Sequence, residues 1–207
     1  MTELKRVKLS LKAEALDAVR DKDLDTAIAK YKEYLALKPN EKDDDAWAGL
    51  GGAYRRKQQL ELSLICYEKA YQINPQSTYA LGNIVSLLAA RYLPADREKL
   101  RQYLPDAVRL AERKTSVPDA DHWAWYDLAT IHLVEGLFDE SKSEKAVNTF
   151  YFAAERTPQA ARENFRSVLS NLTFLAEHNP GIPKIKEVIE MISQRAERSR
   201  VIGSTNS

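Results

Sequence analysis

The side chains of this chain with chemistry to offer are three histidines, one cysteine and an acidic triplet. His122, His132 and His178 could each ligate a metal or carry a proton, but they stand far apart, and only His132 has a carboxylate, Glu135, at helical spacing. Two ligands do not make a metal site. Cys66 has no second thiol with which to form a disulfide or a cysteine zinc site, so a reducing cytoplasm is the expected location. Its place just before Tyr67 reads as that of a small buried hydrophobe. Asp43, Asp44 and Asp45 precede a helical pattern, where carboxylates cap the helix and offset its macrodipole, and Asp45 is also a candidate to face a partner. The sequence has no glycine-rich phosphate loop, nucleophile elbow or supported pair of carboxylates. Neither catalysis nor a bound cofactor or metal is expected.

The stretch Trp47-Ala-Gly-Leu-Gly-Gly-Ala-Tyr54 is harder to account for, because it places Gly49, Gly51 and Gly52 in one predicted helix. Each glycine costs about 1 kcal/mol relative to alanine, so together they remove a large part of a marginal stability. Something must require their smallness. Arg55 and Arg56 follow directly, two cations suited to an anionic group.

The elements that must position these residues are helices. The chain has 207 residues, 44% of them hydrophobic, with 31 Lys+Arg against 30 Asp+Glu and a net charge of +1. Such a chain has a sizeable core and is too apolar to be disordered. Its balance of charge supplies no global field for nucleic acid or an anionic membrane, so neither is an expected partner. The longest apolar run is five residues, Phe150 to Ala154, which neither spans a bilayer nor makes a signal peptide. Seven glycines are about half the usual share of roughly 7%, which favours helix over a turn-rich β protein.

Prolines supply a period. Pro39, Pro75, Pro118 and Pro158 stand 36, 43 and 40 residues apart, and three of them close a common kind of segment. These segments are Ala27-x3-Tyr31…Pro39, Ser63-x3-Tyr67-x2-Ala70-x4-Pro75 and Ala146-x3-Phe150-x2-Ala153-x4-Pro158. Each predicts a helix with small and aromatic residues on one face, stopped by proline. Upstream of the second lies Trp47-x2-Leu50-Gly51-x2-Tyr54, upstream of the last Trp125-x2-Leu128-Ala129-x2-His132, and between them Leu81-x2-Ile84-Val85-x2-Leu88. Leu11-x2-Glu14-Ala15-x2-Ala18 is the poorest copy, with Glu14 in an apolar place. Over residues 7–158 the sequence resembles the tetratricopeptide repeat family, whose first-helix signature W-x2-L-G-x2-Y the second copy fits at every position.

That resemblance implies an all-α solenoid of antiparallel helix pairs in a single domain, about residues 1–200. The pairs are expected at about 8–41, 44–77, 78–120 and 122–160, with capping helices at about 160–199 and a disordered tail at 201–207. A short extra helix is expected within Tyr92–Pro105, where Tyr-Leu-Pro occurs twice. In this family the first helix of each pair lines a concave groove. The resemblance places Asp45, Ala48, Gly52 and Arg55 there, beside Arg56, followed by Tyr79, Asn83 and Ser86 with Gly82, and then by Trp123, Tyr126 and Thr130. The aromatic residues either contact a ligand or pack against the capping helices, and the sequence favours neither. His132 falls where the repeat has its interhelix tyrosine and is expected to pack.

The family's chaperone-binding members hold a C-terminal carboxylate with two asparagines and several basic residues. Here the corresponding asparagine places fall at Leu16 and Gly49, although Lys12 and Asn83 sit nearby, so that clamp is not expected. The leading expectation is a non-enzymatic adaptor that binds a peptide segment of another protein in the groove. The alternative is a regulatory module that takes a small anionic signalling molecule beside Arg55 or Arg56. A third reading is a homo-oligomerisation unit using the apolar C-terminal helix.

Overall fold

A computed structural model of the chain describes residues 3–158 and 162–204. Every regular element among the described residues is helical. The helices are α1 (Glu3–Arg20), α2 (Leu24–Ala36), α3 (Asp44–Arg56), α4 (Leu60–Ile73) and α5 (Thr78–Arg91), then α6 (Pro94–Thr115), α7 (His122–Glu135), α8 (Ser141–Arg156), α9 (Arg162–His178) and α10 (Ile185–Ser204). They pack as sequential antiparallel pairs, α1 on α2, α3 on α4, α7 on α8 and α9 on α10. Short polar side chains set the starts. Asp23, Asp43, Ser77 and Asp121 each accept a hydrogen bond from the backbone N–H three residues on, at 2.8–3.2 Å, which satisfies one of the amides a helix leaves open. Pro39, Pro75, Pro118 and Pro158 all fall outside the α-helices.

The chain divides into two compact units, Met1–Ile84 and Val85–Ser207, with the boundary inside α5. In the first, Leu11, Ala15, Tyr31, Tyr34, Leu35, Ala46, Leu50, Tyr54 and Cys66 form one buried cluster, with Trp47 packed at its edge. Glu14, the misfit of the first repeat copy, reaches Lys30 on α2 at 2.6 Å, so its place is the rim of the pair rather than its seam. Asp43 ties three elements together. Besides capping α3 it accepts from Lys12 Nζ at 2.8 Å and from the Tyr34 hydroxyl at 2.6 Å.

Burial raises the Asp43 carboxyl, but the Lys12, Tyr34 and Ala46 hydrogen bonds outweigh it and hold the group below its ordinary range. A carboxyl depressed in the folded state contributes stability that is present above the unfolded pKa and lost as pH falls through the folded one. Asp43→Ala should therefore cost about 1–2 kcal/mol at pH 7, for the cap and its buried partners. The gap from the parent should narrow as pH falls below about 4, which urea midpoints at pH 7 and pH 3 would read. A gap that stayed constant would remove the ionised carboxylate from the account.

Close helix packing explains two of the three glycines of α3. A Cβ on Gly49 would stand 2.5 Å from the Tyr31 ring and hydroxyl, and one on Gly51 would stand 3.0 Å from the Tyr67 ring. Both tyrosines are wedged onto bare backbone. Gly49→Ala should accordingly destabilise by about 1–3 kcal/mol, the usual cost of overpacking, despite better helix propensity. Gly82→Ala, whose Cβ would meet nothing within 4 Å, should instead stabilise by up to about 1 kcal/mol. Thermal midpoints moving the same way in both variants would contradict the packing argument.

In the second unit the core draws Leu100, Leu104, Ala107 and Leu110 from α6, Leu128 from α7 and Phe150 from α8, all buried. Leu172 and Leu175 of α9 and Ile185, Val188 and Ile192 of α10 are buried as well. The short extra helix expected within Tyr92–Pro105 does not form. Those residues are the first half of α6, a single helix of 22 residues that runs on through Pro105. Pro105 and Arg101 are both exposed, so the carbonyl that loses its helical donor to the proline ring lies on the solvent side. α10 continues to Ser204, where a tail from residue 201 was expected, and the rest of that expectation, 205–207, lies outside the described residues.

Candidate functional site

In the first unit the sequence-predicted residues gather at the C-terminal half of α3 and the first half of α5. Arg55 is partly buried and donates from Nη1 to Asn83 Oδ1 at 3.1 Å, while Asn83 Nδ2 donates to the Tyr79 carbonyl at 2.9 Å. Both ends of Asn83 are therefore engaged in holding the arginine on α3 to the backbone of α5. Burial lowers the Arg55 pKa, an effect that the neighbouring Arg56 reinforces. Arg56 is exposed and makes no hydrogen bond or ion pair among the described residues. Tyr79 stands 60% exposed, its ring edge-on to Tyr67 at 6.0 Å.

Gly52 lies at the centre of this group. A Cβ there would meet only the Tyr67 hydroxyl at 3.4 Å and Arg56 Nη1 at 3.6 Å, ordinary contact distances. Unlike Gly49 and Gly51, Gly52 is not demanded by packing, and neither is Gly82 on α5. The residue that sequence reasoning passed over is Tyr67, assigned only to the interlock of α3 and α4. Its hydroxyl reaches past Gly51 to the face of Gly52, and burial lifts its pKa well above the ordinary tyrosine value. The phenol thus stays protonated, and its hydroxyl also hydrogen-bonds the Tyr79 side chain. Asp45 is exposed at the other end of α3, and Ala48 is buried, with 5% of its surface exposed.

The second unit treats its candidates differently. Tyr126 is only 3% exposed, and its hydroxyl shares a buried hydrogen bond of 3.0 Å with Thr157. Thr130 donates its hydroxyl back to the Tyr126 carbonyl at 2.8 Å. These two serve packing within α7 and α8. Trp123 is half-buried in a cluster with His122 and Tyr126, and His122 accepts from Asn164 of α9 at 2.6 Å. Ser86, at the start of this unit, is half-buried. A shallow cleft of about 470 Å³ lies on α7 and α8, lined by Trp125, Lys145, Asn148, Thr149 and Phe152.

The remaining chemical groups are also engaged. His132 is buried with Nδ1 2.6 Å from Glu135, and His178 donates to the Phe174 carbonyl at 2.9 Å. Cys66 is buried, and burial pushes its thiol up to about 12, which removes thiolate reactivity. Among the described residues no three His, Cys, Asp or Glu side chains are grouped to hold a metal ion. None of the helices described is long and apolar enough to cross a membrane.

No protein-family model matches the sequence, and no curated protein matches it. Among solved structures, the crystal structure of MamA protein is similar with a TM-score of 0.50 and 14% identity, over 95% of this chain and 95% of that one. The fold is tetratricopeptide-like. A second solved structure, YrrB, described as a TPR protein with an unusual peptide-binding site, covers 89% of this chain and 88% of its own at 20% identity and a TM-score of 0.47. The group around Gly52 lies on α3, which packs with α4, and on the first half of α5.

Proposed function

We propose that this chain is a non-enzymatic interaction module that holds a segment of another protein on the face formed by α3 and the first half of α5. The observation that carries this reading is Gly52 with Gly82. Each costs about 1 kcal/mol as a helix residue, and neither is required by any neighbour at its Cβ. A ligand backbone passing close to the helices gives both glycines a reason. Around them stand an exposed tyrosine and two arginines, residue types that commonly anchor binding. The fold, shared with a class of proteins that work mainly as interaction scaffolds, is consistent with this. The oligomerisation reading loses support, because α10 spends Ile185, Val188 and Ile192 inside its own unit.

Gly52→Leu tests the assignment. The added side chain starts from a position in ordinary contact with its neighbours, so the helical spectrum and urea midpoint should stay close to those of the parent. Proteins captured from a cell lysate by the parent should be lost from the variant. Unfolding of Gly52→Leu would instead assign the glycine to packing and remove this face from the function. A small-molecule thermal shift with no protein captured would favour the signalling-molecule reading.

A further inference from the structure

We propose that the segment held on this face is acidic, with the carboxylate of an aspartate or glutamate side chain seated over Gly52 between the Arg56 guanidinium and the Tyr67 hydroxyl. This rests on the interaction-module reading and adds the chemistry of the ligand. Arg56 Nη1 and Tyr67 Oη lie 3.6 and 3.4 Å from the point where a Cβ of residue 52 would be, so two donors converge on one spot of bare helix. A carboxylate oxygen placed there accepts from both once the Tyr67 hydroxyl turns to it from Tyr79, one of the bonds being charge-assisted. The two donors come from different helices, α3 and α4, whose relative position is fixed by the Tyr67 ring resting on Gly51 and by the Ser63 hydroxyl donating to the Gly51 carbonyl at 2.8 Å. The helices and the Tyr67 ring are thus held in place before any ligand arrives.

The charge of the site limits what it takes. Arg55 and Arg56 adjoin, and the Arg56 guanidinium disfavours the charge of Arg55, a repulsion that one incoming carboxylate relieves. The next cation, Lys57, is paired with Asp25, and Lys12 of α1 is paired with Asp43 at the far end of α3. Within α3 and the first half of α5, positive charge is confined to two adjacent guanidiniums. That suits a single carboxylate better than a polyanion, whose successive phosphates need cations in series. Gly82 leaves open space one helix over, and the exposed Tyr79 ring beside it offers apolar surface to a neighbouring ligand residue. Bare backbone at both Gly52 and Gly82 fits a chain that runs on past the acidic residue rather than one that ends there.

The test is selection of a displayed library of random dodecapeptides on the full chain, followed by binding titrations of the strongest peptide. Selected peptides should be enriched at least about 3-fold in Asp or Glu at one aligned position. Replacing that residue by its amide, and Arg56→Glu in the protein, should each weaken binding about 10-fold or more, and Tyr67→Phe by a smaller factor. A lysine at the same peptide position should recover binding to the Arg56→Glu protein, an outcome that loss of folding cannot mimic. If peptides are selected and lost on Gly52→Leu but show no acidic position, the acidic inference is wrong and the interaction-module reading stands. If amidating the peptide C-terminus abolishes binding while replacing the internal acid does not, the ligand is a terminal carboxylate and the side-chain proposal is overturned. If no peptide is selected, both readings fall.

Discussion

Replacing Tyr67 by alanine is expected to lower the unfolding free energy by about 3–5 kcal/mol, read as a fall in the urea midpoint. The side chain is 1% exposed and lies against Gly51 so closely that even a methyl group there would stand 3.0 Å from the ring. A glycine has no side chain with which to fill the space left behind, so the cavity would persist and add its own cost to the lost transfer free energy. The edge contact with Tyr79 at 6.0 Å would be lost as well. Tyr67→Phe separates the two roles assigned to this residue. It keeps the ring and should keep most of the stability, but it removes the hydroxyl that faces Gly52. An unchanged midpoint for Tyr67→Ala would mean that the ring is not the wedge between α3 and α4.

The fold was legible because the interlock of a helix pair leaves its mark at fixed spacings within about thirty residues. Ala27 with Tyr31, Ser63 with Tyr67, and Ala146 with Phe150 announced three second helices, and in the structure all six are buried. The acidic triplet announced a helix start, although only Asp43 proved to be the cap, while Asp44 accepts from Asn74 and Asp45 stays exposed. What the local pattern could not settle was the insert. The Tyr-Leu-Pro at Tyr92 leads into a helix that starts at its proline, whereas the one at Tyr103 lies in the middle of that helix. Leu100, Leu104, Ala107 and Leu110 recur on one buried stripe across the second proline, and burying that stripe outweighs the lost backbone hydrogen bond.

The site was legible only in part, for a related reason. Sequence identified Gly49, Gly51 and Gly52 as costly, yet which of them packing requires depends on Tyr31 and Tyr67, tyrosines of other helices whose reach no spacing rule gives. Gly49 answers to α2 and Gly51 to α4, leaving Gly52 as the unexplained one. Tyr126 shows the opposite case. Its register on the first helix of a pair matched a groove position, but the Thr157 hydroxyl at the end of α8 draws it into the core. Helical periodicity places a residue on a face, and only the neighbouring chain decides whether that face is covered.

Asp96→Ala is expected to destabilise the second unit by about 3–5 kcal/mol, more than an ordinary surface carboxylate could. The Asp96 side chain is 3% exposed and that of Arg91 17%, and they meet through Arg91 Nε at 3.1 Å and Nη2 at 3.2 Å. Asp96 also accepts from the Leu93 N–H at 3.3 Å, at the start of α6. One carboxylate thus joins the end of α5 to the beginning of α6 across a two-residue turn in which Tyr92 takes a φ of 45°, uncommon for a residue with a side chain. Removing it takes the carboxylate from a largely buried guanidinium and an acceptor from an open helix end. The double variant Arg91→Met/Asp96→Leu should recover much of the loss, because a buried ion pair gives back little more than its own desolvation. If the double variant were as unstable as Asp96→Ala alone, the damage would lie in the turn itself, and the backbone bond to Leu93 rather than the ion pair would be what holds α5 and α6 together.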